Sequence, residues 1–261
     1  MQDYETLQLK TEEKIGWIML NREKALNALN KRMINELGDV VEKIQNDPKV
    51  GVGIIIGGGH KAFSAGADLQ EIKALTIKDA FDYSQTAQDV FNCIEKSEKP
   101  IIACVNGIAM GGGAELALSC HLRVASKNAK LSFPEAGLGG IPGMGGTQRL
   151  PRLIGKSFAL YFLLTGKAIT AEQGYQLGIF HKVVDPEEVE SAAEALAKDL
   201  LKKSPLSMKF IIQAVTIGSD GALLNGLALE SALMAAMSES EDKEEGIKAI
   251  FEKRLPSFSG K

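Results

Sequence analysis

Two glutamates, Glu115 and Glu135, stand twenty residues apart in a stretch, Asn106 to Leu150, that holds ten glycines. Glu115 follows Gly111, Gly112 and Gly113 and opens an Ala/Leu-rich helical pattern, AELALSC. Glu135 sits behind Pro134, just after the strand-like run KLSF. A carboxylate among apolar and glycine neighbours is costly to bury unless it is paired or neutralised. Two such carboxylates brought together make a general acid–base pair.

Two glycine loops supply a second element of chemistry. Ala65-Gly66-Ala67-Asp68 follows the apolar run Val52 to Ile56, and Gly111-Gly112-Gly113 follows Ile101 to Val105. Each leads into a helical pattern and so presents unpaired backbone N–H groups at a positive helix end. Two such donors on one carbonyl oxygen form an oxyanion hole, worth roughly 3 kcal/mol per donor. The same glycines also suit tight turns and close packing. No GxGxxG stands between a strand and a helix, GMGGTQR lacks the Lys-Ser/Thr of a P-loop, and no GxSxG is present. A phosphate cradle at Gly143–Gly146 stays open as a weaker alternative. What remains is carboxylate acid–base work on an activated carbonyl.

The elements that must position these groups follow from periodicity. Residues 4–10 and 15–21 alternate as two strands joined by the polar turn TEEK. Met33, Ile34, Leu37, Val40, Val41 and Ile44 predict a helix that stops at Asn46-Asp47-Pro48. Val52 to Ile56 and Ile101 to Val105 read as buried parallel strands, with a helix carrying Phe81, Val90, Phe91 and Ile94 between them. This α/β order fits stacked ββα turns as readily as one doubly wound sheet. Beyond about Pro186 the pattern is helical only, through EEVESAAEALAKDLLKK, SMKFIIQAV, ALLNGLALESALMAAM and DKEEGIKAIFEKR. Those Ala/Leu/Met-rich faces suit an oligomerisation arm or plain core packing.

At 261 residues the chain suffices for one large domain or a domain with an appendage. Its 45% apolar and 24% charged residues are those of a soluble globular protein, and a net charge of −3 gives no footprint for nucleic acid or an acidic membrane. Three cysteines without CxxC spacing argue for a reducing compartment, and three scattered histidines against a metal centre. No run reaches the length of a membrane span, and the acidic start MQDYETLQLK is no signal or transit peptide. A cytoplasmic enzyme or binding protein is expected.

Five pieces then resemble the enoyl-CoA hydratase/isomerase (crotonase) superfamily nearly end to end. They are NREKALNAL (21–29), KAFSAGADLQEI (61–72), KPIIACVNGIAMGGGAELALSC (99–120), FPEAGLGGIPGMGGTQRL (133–150) and EDKEEGIKAIFEKRLPSFSGK (241–261). The resemblance implies a spiral core of ββα turns over residues 1–190, carrying the acyl-CoA site. It also implies a C-terminal helical trimerisation region over 191–261 and a homotrimer or a dimer of trimers. The N–H groups of Ala67 and Gly112 are implied to bind the thioester oxygen of an acyl-CoA. Glu115 and Glu135 match the two catalytic glutamates of the hydratases, implying syn addition of water to a trans-2-enoyl-CoA. Glu115 would deprotonate the water attacking C3, and Glu135 would deliver a proton to C2. No metal or separate cofactor is implied, since CoA arrives with the substrate. The alternatives are isomerisation or dehydration of acyl-CoA on the same scaffold, and a non-catalytic or RNA-binding use.

The CoA groove is implied at Lys24, Ala25, Ala65, Asp68 and Leu69, with Phe251 and Lys253 covering the CoA of a neighbouring subunit. Gly143 and Gly145 would shape the acyl-pocket floor or simply turn the chain. His121 stands where the family pattern has an acid, and Gln70 replaces a common lysine. A changed neighbour at 121 could shift the acids' pKa values or alter water access, or be a swap at the surface or one layer out from the site with no such effect.

Overall fold

The computed structural model describes residues 4–261, so the first three residues of the acidic start lie outside the described residues. The chain opens with a hairpin of β1 (Leu7–Glu12) and β2 (Ile15–Leu20), paired antiparallel from Leu7↔Leu20 to Glu12↔Ile15. The first strand begins and ends later than alternation predicts. A two-residue turn, Glu13 and Lys14, both at positive φ (47° and 66°), draws Thr11 and Glu12 into the ladder. Such a turn matches the right-handed twist of the strands, which the wider TEEK loop would not. Helix α1 (Lys31–Asn46) starts at Asn30, whose side chain accepts from the Met33 N–H, and buries all six residues of the predicted face.

Three ββ units follow. They are β3 (Val52–Gly57) with β4 (Ala62–Ser64), β5 (Ile101–Val105) with β6 (Ile108–Met110), and β7 (Leu122–Ser126) with β8 (Lys130–Ser132). The short α2 (Leu69–Ile72) and the long α3 (Ile77–Glu95) separate the first two units, and α4 (Gly112–Ser119) the last two. Then come α5 (Gly146–Ile154), α6 (Lys156–Thr165), β9 (Ile169–Thr170), α7 (Ala171–Gln176), β10 (Lys182–Val184) and α8 (Val189–Leu201). The first strand of each unit joins one sheet, in the order β1-β2-β3-β5-β7-β10. The second joins another, in the order β4-β6-β8-β9. The chain therefore winds as a spiral of ββα turns, which decides between the two α/β readings. The loops expected straight after β3 and β5 in fact follow β4 and β6.

The central strands of the larger sheet, β3, β5 and β7, are buried on both faces and divide their residues between two cores with period two. Ile55, Ile101, Ala103 and Val105 face the core under α1, α3 and α4. Ile54, Ile56, Ile102 and Cys104 face a second core closed by Val189, Ala192, Ala193 and Ala197 of α8. Helix α3 buries Tyr83, Ala87, Phe91 and Ile94 and leaves Phe81 66% exposed, because Phe81 lies two residues off that stripe. The expected division at residue 190 passes through α8. The four predicted C-terminal helices are all present, ending with α9 (Pro205–Gly218), α10 (Leu223–Met237) and α11 (Glu241–Glu252). α9 and α10 bury no residue and expose Ile211, Val215, Leu223, Leu224 and Met234.

Candidate active site

The segment Ala65–Asp68 is held from behind by residues 26–29. Ala65 N–H donates to the Leu26 carbonyl, Leu29 N–H to Gly66, and Asp68 N–H to Leu29, at 2.7–2.9 Å. Ser64 Oγ adds a bond to the Asn27 carbonyl (2.8 Å), and buried Asn27 ties its own amide to the Gly58 and Ala62 carbonyls. Fixed this way, the loop meets the start of α4. A Cβ at Gly66, where φ is +89°, would lie 2.5 Å from the Met110 carbonyl oxygen and 3.1 Å from the Gly112 nitrogen. A Cβ at Gly112 would lie 3.4 Å from the Ala67 nitrogen and 2.8 Å from Met144 Sδ. The two predicted donors thus border one small space, and among the described residues neither N–H donates to any acceptor.

Both glutamates border the same region. Glu115 lies in the first turn of α4, whose eight residues are all buried, and is itself 1% exposed. Its Oε1 accepts from the Met144 N–H (2.8 Å) and the Gly146 N–H (2.7 Å). Burial pushes its carboxyl up to about 7; the two amide bonds and Arg149 oppose this, and the charge of Glu135 adds to it. Half-buried Glu135 opens a 3-10 turn, Glu135–Leu138, with its Oε1 2.6 Å from where a Cβ of Gly111 would be. Its Oε2 is buried and has no hydrogen-bond partner among the described residues. Burial raises this carboxyl as well. An orphaned buried oxygen is uncommon in a folded protein.

The remaining predicted residues divide. Lys24 and Ala25 form a 3-10 turn on the segment that braces Ala65, with Lys24 exposed, and Leu69 is 59% exposed. Asp68 is already engaged: its Oδ2 pairs with Arg22 at 2.9 Å and its Oδ1 accepts the Gln70 N–H. Phe251, 82% exposed on α11, and Lys253 just beyond it stand on the surface. Gly143 and Gly145 turn the loop that carries the Met144 and Gly146 amides. His121 does not touch either acid. Its Nδ1 accepts from the Ile101 N–H (2.9 Å) and its Nε2 faces the Glu95 carbonyl (3.1 Å), so it braces the start of β5 against the end of α3. Burial pushes its pKa down to about 4, which keeps the ring neutral with its proton on Nε2.

Sequence reasoning missed the support of the Met144–Gly146 loop. Ser84 Oγ and Gln88 Nε2 donate to the Gly143 carbonyl, the latter at 2.8 Å. Arg149 donates to the Met144 carbonyl (3.2 Å), to Asn92 Oδ1 (2.7 Å) and twice to Glu95 Oε2 (2.8 and 2.9 Å). The signal was present as a polar stripe beside the apolar one: Ser84, Gln88, Asn92 and Glu95 recur at helical spacing on α3.

The sequence profile of the enoyl-CoA hydratase/isomerase family matches residues 10–261. The crotonyl-CoA hydratase of Syntrophomonas wolfei is 40% identical over 258 residues, 99% of this chain and 99% of its own. The short-chain-enoyl-CoA hydratase of Clostridium acetobutylicum is 39% identical over 246 residues, 94% of either chain. The crystal structure of an enoyl-CoA hydratase from Bacillus anthracis superposes with a TM-score of 0.95 at 33% identity, covering 98% of this chain and 100% of that one.

Proposed function

This chain belongs to the enoyl-CoA hydratase/isomerase family, and from that premise we infer that it hydrates trans-2-enoyl-CoA thioesters to 3-hydroxyacyl-CoA, reversibly. The observation that carries the reading is the meeting of two burial-raised glutamates with two unengaged N–H donors in one space. The Ala67 and Gly112 N–H groups take the thioester oxygen and stabilise the negative charge that grows on it as C3 is attacked. Glu115, ionised and held through Oε1, accepts a proton from water on its other oxygen while the water oxygen bonds to C3. The C2=C3 electron pair moves into an enolate, and Glu135 gives its proton to C2. Reversal expels water from the 3-hydroxyacyl-CoA. Two acids suit hydration, which moves a proton at each end of the double bond; an isomerase can shuttle one proton with one acid.

No cofactor beyond the CoA carried by the substrate enters this scheme. We assign the CoA groove to Lys24, Ala25, Ala65, Asp68 and Leu69, and Asp68 also anchors Arg22. Cytoplasmic work fits the sparse cysteines. Among the described residues no helix is long and apolar enough to cross a membrane.

A trimer, or a dimer of trimers, gives the exposed apolar faces of α9 and α10 a partner. It also brings Phe251 and Lys253 toward a neighbour's CoA. Sedimentation equilibrium is expected to return three or six times the 28.0 kDa chain mass; a monomer would sink the assembly.

The test of the function is the loss of conjugated-thioester absorbance from crotonyl-CoA. Rapid decay with formation of 3-hydroxybutyryl-CoA is expected. A folded protein that leaves the absorbance unchanged is not a short-chain hydratase.

A further inference from the structure

Glu115 owes its position to the Met144 and Gly146 amides, and those amides sit on a glycine-rich loop. Met144 itself packs in the core, while the flanking glycines bring no side chain, so the carbonyls of Gly143 and Met144 are held from outside the loop. The grip comes from four side chains on one face of α3, Ser84, Gln88, Asn92 and Glu95, together with Arg149 of α5, which is its centre. Arg149 begins in the first turn of α5, reaches back to the Met144 carbonyl, and is fixed by Asn92 and by a two-nitrogen pair with Glu95. Its side chain is only 10% exposed. A guanidinium locked by a carboxylate and an amide is a rigid part, so the loop is held in one place.

We propose that Arg149 is a positioning residue for the hydration reaction, clamping the Met144–Gly146 loop against α3 so that Glu115 points at the water it activates. Glu95 serves twice, locking the guanidinium and balancing its charge beside a buried carboxyl. The inference rests on the hydratase reading, which it deepens.

The charges that face Glu115 give opposite signs for two variants. They are Glu135 on its 3-10 turn, Arg149 on α5 with Glu95 behind it, and the Tyr83 phenol on α3. β4 and β6 carry no titratable side chain. Glu95→Gln leaves the Arg149 cation unbalanced, which favours ionised Glu115 and moves its titration to lower pH. Arg149→Met removes the cation and moves the titration to higher pH.

The experiment is a 13C NMR titration of the Glu115 carboxylate in the full-length protein, beside kcat and KM for crotonyl-CoA across pH. Arg149→Met is expected to lower kcat by about 10²-fold, the scale of a small misplacement of a catalytic group, with KM near that of the wild type. Glu95→Gln loses less, and its acid limb moves the other way. Arg149→Lys keeps the charge without the fork, so it restores the titration but not kcat. Melting curves show whether each variant is folded. If Arg149→Met does not fold, the opposite shift in Glu95→Gln still decides. Titrations that superimpose on the wild type, or a melting temperature that falls while kcat and the pH profile stay put, would overturn the clamp. A wild type inactive on crotonyl-CoA counts against the hydratase reading alone, because the carboxylate titration needs no turnover.

Discussion

Replacing Glu115 by glutamine is expected to lower kcat for crotonyl-CoA hydration by about 10³-fold, the scale of a lost general acid or base, and Glu135→Gln by a similar factor. The glutamine at 115 fits the site: its carbonyl oxygen can still accept from the Met144 and Gly146 N–H groups, so the loop and α4 stay in place. Only basicity is removed. At 135 the amide keeps the volume and loses the transferable proton. Equal loss in either variant, with KM near the wild type, would establish that both acids act in the chemical step. Full activity in one of them would shift the reaction toward one-acid isomerisation.

The pH profile follows from the same burial. Glu115 titrates at about 7, and the base works ionised, so kcat rises with pH through neutrality. Glu135 is the proton donor of the scheme, and burial raises its carboxyl in the same direction. The two charges interact, so the titration that kcat follows belongs to the pair. The linkage sign for stability is the reverse of that for activity. Stability tied to the Glu115 proton is full below the unfolded value of 4.5 and is lost as pH rises through about 7. The glutamine variant therefore melts no lower than the wild type at pH 8. Activity and stability want opposite states of one proton.

The parts of this design that repeat were legible in the sequence. The six-residue face of α1 and the buried runs of β3 and β5 carry enough periods to be read, and the glycine loops carry an unusual composition. Three-residue strands such as β4 and β6 span barely one alternation, so the second sheet could not be seen. Pairings across the fold were invisible for a different reason. Arg22 meets Asp68 across 46 residues and Arg149 meets Glu95 across 54, and no local pattern announces either. Asp68 is likewise implied for the CoA groove, with no sign in the sequence that its carboxylate also pairs with Arg22. His121 is close to Glu115 in the chain, yet α4 carries it to the start of β5, away from both acids.

Gly111→Ala should be nearly as damaging as loss of an acid, although Gly111 has no side chain to react. Its φ and ψ of 46° and −121° are open to glycine and strained for alanine, costing about 1–3 kcal/mol. The new Cβ would also lie 2.6 Å from Glu135 Oε1, which must move. Overpacking of that kind costs about 1–3 kcal/mol more. The same residue accepts the Glu115 N–H through its carbonyl and precedes the Gly112 donor, so any adjustment reaches all three functional groups. We expect kcat to fall by about 10²-fold or more, as for a misplaced catalytic group, and urea unfolding to show a loss of about 3 kcal/mol. Strain and collision can be separated by a double-mutant cycle. In a Glu135→Ala background the collision is gone and only the backbone strain remains, so the stability cost of Gly111→Ala should drop by about half. An undiminished cost in that background would mean that Glu135 does not press on Gly111. The glycine would then be needed for the backbone alone.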